Sequence, residues 1–143
     1  MLIGIIGESC TGKSTLAEKL KRQMNAEIYT GKDYFRLAKN EAIAQKLFIK
    51  KLESAKDGEN IIYVIAEKEH LALLPEGAIR VLMTADLDLI VERFTQRMHG
   101  TLPPPVKMML EKKHGVFDEV QCDYRIHNGE DSDAVCAALE GWS

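Results

Sequence analysis

The chain has little of what builds disulfide, metal or membrane-spanning structures. Its three cysteines, Cys10, Cys122 and Cys136, are an odd set with no C-x-x-C pair and no metal-ligand spacing, which excludes a disulfide-stapled scaffold and suits free thiols in a reducing compartment. Aromatic residues make up only 6%, the net charge is −3, and no Lys/Arg run is interleaved with aromatics, so nucleic acid is not expected as a partner. No apolar run approaches the roughly 20 residues that span a bilayer. The first strand begins at the N-terminus, leaving no room for a signal peptide. The expectation is a cytoplasmic protein with no membrane partner that acts on small molecules as a monomer or homodimer. Only four prolines occur, three of them consecutive at Pro103-Pro104-Pro105. At 143 residues the chain is read as one domain, 1–143.

What is present is concentrated near the start. Gly7-Glu8-Ser9-Cys10-Thr11-Gly12-Lys13-Ser14 fits G-x-x-x-x-G-K-[ST], a loop that holds the β- and γ-phosphates of ATP or GTP. It follows the apolar run Leu2 to Ile6 and precedes Ser14-Thr15-Leu16-Ala17-Glu18-Lys19-Leu20-Lys21, whose apolar positions recur at helical spacing. A polyanion needs several N–H donors converging on one point, and a glycine-bearing loop before a helix N-terminus supplies them. Residues Gly7 to Thr15 are therefore the nucleotide-binding candidates. Lys13 would reach the phosphate oxygens and the Ser14 hydroxyl would hold Mg²⁺. Cys10, beside Lys13 at a helix start, is a thiol whose pKa could be lowered.

Further along, strands are expected at Ala26 to Tyr29, Asn60 to Ala66, Ile79 to Met83 and Tyr124 to His127. The almost wholly apolar Ile61 to Ile65 is read as the centre of the sheet. Helices are expected from about Asp33 to Ala55, with Phe35, Leu37, Ala38, Ala42, Ile43, Leu47 and Leu52 facing the core, and at Glu69 to Leu74, Asp86 to Met98 and Asp131 to Leu139. Residues 105–114, after the three prolines, are read as a mobile helical segment. This alternation predicts an α/β fold of three layers, a parallel five-stranded sheet with helices on both faces. Ligands then bind beyond the carboxyl ends of the strands.

Several segments together resemble the P-loop kinases of the nucleoside monophosphate kinase group, which includes adenylate, cytidylate and guanylate kinases and their shikimate kinase relatives. The resemblance spans most of the chain. Asp88-Leu89-Ile90-Val91-Glu92-Arg93-Phe94-Thr95-Gln96-Arg97 is similar to the adenylate kinase segment in which two arginines, four apart, precede the lid. It implies that Arg93 stacks on the base, that Arg97 clamps the transferring phosphates, and that about 99–114 forms a short lid. The physics agrees, because positions i and i+4 share one helix face and a planar guanidinium suits both tasks. Thr30-Gly31-Lys32-Asp33-Tyr34-Phe35-Arg36 is similar to the Thr-Gly-x-x-x-Arg stretch that receives the acceptor, with one residue more before Arg36. The resemblance makes Asp33 and Arg36 acceptor-binding candidates, Asp33 also as base or magnesium carboxylate.

Departures accompany the likeness. After the third strand the family has Asp-Gly and an arginine, whereas this chain has Ala66-Glu67-Lys68-Glu69. Glu67 is the candidate to stand near the metal and Lys68 to supply charge to the acceptor. In the lid Lys107, Lys112, Lys113 and His114 stand where arginines are usual, with His114 read as a surface residue. Cys122-Asp123-Tyr124-Arg125-Ile126-His127-Asn128 resembles the last strand of guanylate kinases, which implies that Asn128 borders the donor base. The expected activity is ATP- and Mg²⁺-dependent transfer of the γ-phosphoryl group to a small-molecule acceptor, first a nucleoside monophosphate, with the partial similarity to cytidylate kinases implying a pyrimidine one. The alternatives are another hydroxylated metabolite, as in shikimate kinases, or an ATP-binding switch without catalysis.

Overall fold

Two stretches apolar at every position except glycine or tyrosine, Leu2–Gly7 (β1) and Ile61–Ile65 (β3), are buried along their whole length. Only strands flanked on both sides and covered on both faces satisfy that pattern. In the computed structural model, which describes residues 1–140, both lie inside a five-stranded sheet with Glu27–Thr30 (β2), Ile79–Thr84 (β4) and Tyr124–His127 (β5). The last three residues of the expected 1–143 domain lie outside the described residues. The order is β2-β3-β1-β4-β5 and every pairing is parallel, with Ile5 opposite Val64 on one side and Val81 on the other. The central strand is thus β1, not Ile61 to Ile65. Apolarity marks an interior strand but does not distinguish the middle position from its neighbour.

Helices Lys13–Met24 (α1) and Ser132–Glu140 (α5) cover one face, where Leu16, Leu20, Val135 and Leu139 pack with Ile3, Ile5 and Val81. Glu41–Ala55 (α2) covers the other, together with Phe117. Leu87–Arg97 (α3) and Pro104–Lys113 (α4) stand beyond the strands' carboxyl ends. Cys10, Ala85, Ile90 and Leu110 form a small separate cluster there. Among the described residues, no helix is long and apolar enough to cross a membrane.

The long helix expected from Asp33 is two elements. Asp33–Arg36 is a single 3₁₀ turn, and α2 begins only at Glu41, where the extended Asn40 caps it by accepting the Ile43 N–H at 3.1 Å. The buried stripe is also displaced from the expected one. Ala44, Phe48, Leu52 and Ala55 face inward, while Ile43 (53% exposed), Leu47 and Phe35 face outward and Ala42 is exposed. One residue is about 100° of helix, and the orientation follows Phe48. Its ring lies 4.8 Å from Tyr63, edge-on, and 5.0 Å from Tyr29; seating that aromatic outweighs burying two smaller side chains one position earlier. Phe48→Ala is expected to cost about 3–5 kcal/mol in urea denaturation, whereas Leu47→Ala costs less than about 1 kcal/mol.

Pro103-Pro104-Pro105 opens α4 rather than merely breaking the chain. Pro103 is its extended cap, and the next two occupy the first helical positions, where a missing N–H is no loss. The segment expected to be mobile is a ten-residue helix docked through Leu110.

Candidate active site

Gly7 ends the central strand, and the chain then wraps into the N-terminus of α1. Two glycines make the path possible. A Cβ on Gly7 would lie 2.5 Å from the Met83 carbonyl oxygen and 2.7 Å from Thr11 Oγ1, and Gly12, the residue before α1, has φ of +93°. Gly7→Ala is therefore expected to lower both the melting temperature and the thermal shift produced by Mg²⁺-ATP. Thr11 Oγ1 donates to the Glu8 carbonyl at 2.8 Å, closing the loop on itself. The loop then leads into the N-terminus of a twelve-residue helix, a position that suits an anion.

Lys13 is the group that most needs an anion. It is only 8% exposed, and its amino group donates to the Glu8 carbonyl. Burial lowers its pKa to about 8; Cys10 and Glu8 oppose this, while the nearby Arg97 adds to it. Arg97 and Arg93, four apart on α3, line the same cleft as Cys10, Gly12 and Thr15, with a volume of about 490 Å³. Arg93 Nη1 donates to the Cys10 carbonyl at 2.9 Å. Arg97 has no hydrogen bond or ion pair among the described residues, and the Phe94 ring lies 5.7 Å from its guanidinium. Arg97 thus lines the cleft while its charge disfavours that of the buried Lys13, an arrangement that suits an anion.

The far wall of the cleft comes from the turn after β5. Gly129 and Ser132 line it. Asn128, expected beside the base, instead directs its amide at Asp86: its Oδ1 accepts the Asp86 N–H at 2.9 Å and its Nδ2 donates to Asp86 Oδ2 at 3.0 Å. His127 joins them, 3.2 Å from Asp86 Oδ1 and 2.8 Å from Thr84 Oγ1. The Asn128 amide is first among the influences that lower the Asp86 carboxyl pKa, and His127 adds its charge. This knot fixes the turn that presents Gly129. Nothing in the sequence links Asp86 to His127 before the register of β4 and β5 brings their ends together.

On the opposite side, β1 and β3 send their following segments to opposite faces of the sheet, which opens a crevice between their ends. Glu8, Ser9, Ala66 and Glu67 line it, and α4 covers it through Met109, Leu110 and Lys113, leaving about 30 Å³. Asp33, at the end of β2, is half exposed; its Oδ2 accepts the Thr30 N–H at 2.9 Å. Lys68 is exposed and, among the described residues, has no partner. Arg36 stands beside Asp33, 3.8 Å from its carboxylate; its guanidinium donates to the Ile28 carbonyl at 2.8 Å and sits 4.0 Å over the Tyr29 ring, beside the sheet's outer strand. Glu67 pairs with Lys113 at 3.4 Å. Ser14 is exposed at the second residue of α1, and among the described residues no three His, Cys, Asp or Glu side chains form a metal cluster. A magnesium ion at this site would be held chiefly by phosphate oxygens, water and Ser14, the mode that cation favours.

No protein-family model matches the sequence, and no curated protein matches it. Solved structures do. A sugar kinase from Janibacter sp. HTCC2649 is similar at TM-score 0.64 and 13% identity, over 98% of this chain and 92% of that one. Shikimate kinase from Bacteroides thetaiotaomicron matches at TM-score 0.63 and 14% identity, covering 99% of this chain and 97% of its own. This chain has the fold of the P-loop kinases. A third match, YorR from Bacillus subtilis in complex with phosphorylated GDP, has TM-score 0.59 and 24% identity over 99% and 95% of the two chains. The likeness to P-loop kinases covers β1 to α5 and therefore includes the loop, α3 and α4.

Proposed function

We propose that this protein is an ATP-dependent phosphotransferase that moves the γ-phosphoryl group onto a hydroxyl of a small molecule. The observation that carries the reading is Lys13, buried at the start of α1, with Arg97, which lines the cleft beside Gly12 and Thr15, close enough to disfavour its charge. A loop that only stores nucleotide has no need of a second cation there. Phosphoryl transfer is catalysed by positioning and charge neutralisation. Lys13 and the loop N–H groups hold the β- and γ-phosphates, Arg93 borders the nucleoside, and Arg97 meets charge as it moves toward the leaving oxygen. Mg²⁺, when bound through Ser14, neutralises phosphate charge and orients the oxygens. Asp33, fixed by the Thr30 N–H, accepts the hydroxyl proton or aims the hydroxyl, and α4 keeps water out.

A hydroxylated metabolite without a phosphate group is the acceptor class we favour, because Arg36 is engaged beside β2 rather than standing free toward the crevice. Lys68 then contacts the acceptor as a single charge. A nucleoside monophosphate is the second reading, favoured by the nucleotide bound to YorR. The test is ADP release from Mg²⁺-ATP across a panel of sugars, polyols, nucleosides and nucleoside monophosphates, with Lys13→Ala as the blank. Stimulation of at least about tenfold by a phosphate-free alcohol is expected. Stimulation by monophosphates alone selects the second reading, and an inert panel on a protein that ATP stabilises returns the chain to the switch class.

A further inference from the structure

A carboxylate at the second position of a phosphate loop works against the loop's purpose, since it sets negative charge beside an anion's seat. Glu8 is such a residue. Its side chain is only 10% exposed, and both oxygens are engaged by the segment that follows α4: the Gly115 N–H donates to Oε2 at 3.1 Å, and His114 Nδ1 lies 3.1 Å from Oε1. Gly115 has φ of +84°, a backbone conformation that side-chain-bearing residues rarely adopt, so this N–H is aimed by a turn that glycine alone makes readily. The same end of α4 is tied again by Lys113 on Glu67, but that pair is half exposed and therefore weak. The more sheltered contact is that of the Gly115 N–H with Glu8, whose own side chain is mostly buried.

We propose that Glu8 is a positioning residue, the seat on which residues 113–115 dock so that α4 closes the crevice beside the phosphate loop. The inference rests on the phosphotransferase reading for its purpose, and on the two hydrogen bonds for its geometry. Donors on its carboxylate offset the charge that would otherwise repel the γ-phosphate, so docking of α4 favours triphosphate. By the same coupling, triphosphate favours docking. A loop residue that looks like a nucleotide ligand from its place in the motif thus acts through the lid.

Hydrogen exchange on the full chain tests this, read at residues 105–115 in the parent, Glu8→Ala and Glu8→Gln, alongside turnover and the KM for Mg²⁺-ATP. The amide of Glu8→Gln keeps an acceptor for the Gly115 N–H. In Glu8→Ala, exchange at 105–115 is expected to rise at least about tenfold while β1 and β3 stay protected. Turnover falls at least about tenfold with the KM for ATP changed less than about threefold, and Glu8→Gln recovers most of both losses. Unchanged exchange at 105–115 in Glu8→Ala, or a Glu8→Gln protein as loose as Glu8→Ala, overturns the proposal. If the parent transfers no phosphoryl group, the phosphotransferase reading has failed and the exchange contrast alone decides the seat.

Discussion

Replacing Lys13 by methionine is expected to abolish ATP-dependent transfer and, at the same time, to make the nucleotide-free protein more stable. The first effect follows from the loss of the only buried cation in the phosphate loop, with turnover falling at least about a thousandfold in a coupled ADP assay. The second follows from desolvation, which lowers the Lys13 pKa from 10.5 to about 8. Below pH 8 the ammonium is charged in both folded and unfolded chains, and the folded state bears the full cost. Between pH 8 and 10.5 the unfolded chain binds more protons, so stability rises with pH and the cost disappears. Urea denaturation with chelator present should therefore show Lys13→Met more stable than the parent by about 1–3 kcal/mol at pH 7, with the gap closing toward pH 10.5. A parent more stable than the variant at pH 7 would contradict the burial of an unneutralised charge.

Arg97→Ala should separate catalysis from binding. Arg97 sits 5.7 Å from the Phe94 ring, with no hydrogen bond or ion pair among the described residues, and lies close enough to Lys13 to disfavour its charge. A guanidinium held in that position is costly until phosphate charge arrives, and its benefit is largest when that charge is redistributing. Turnover is expected to fall at least about a hundredfold while the KM for ATP moves less than about threefold. Arg93→Ala, whose guanidinium already bonds the Cys10 carbonyl, should show the reverse balance. Equal losses in turnover and affinity for Arg97→Ala would reduce its role to ground-state binding.

Much of this arrangement could be read from the chain before any coordinates. The glycines and lysine of the loop, the two arginines one helical turn apart and the five strands are all patterns with local physical meaning, and all five strands form where they were expected, although the middle place falls to β1. What escaped depends on partners distant in sequence. Phe48 turns α2 because Tyr29 and Tyr63 await it from two other strands, which periodicity within the helix cannot report. The cap at Asn40 was a local signal, an Asn directly before Glu41 and Ala42, but the apolar residues from Phe35 onward obscured it. Arg36 resembles a motif residue but stands one position later, and Asp33, the Ile28 carbonyl and the Tyr29 ring hold it beside the outer strand. Glu8 and His114, 106 positions apart, meet only because α4 folds back over the loop.

The place of β1 has a bearing on endurance. A strand bonded to a neighbour along both edges and covered on both faces is among the last parts of a domain to open, while outer strands such as β2 and β5 exchange their amides first. The loop that follows that strand leads to Lys13, the residue proposed to hold the phosphates. On the proposed reading, thermal breathing at the margins loosens α4 and the acceptor side before it disturbs the phosphate loop, and partial denaturation is expected to silence transfer while nucleotide capture persists.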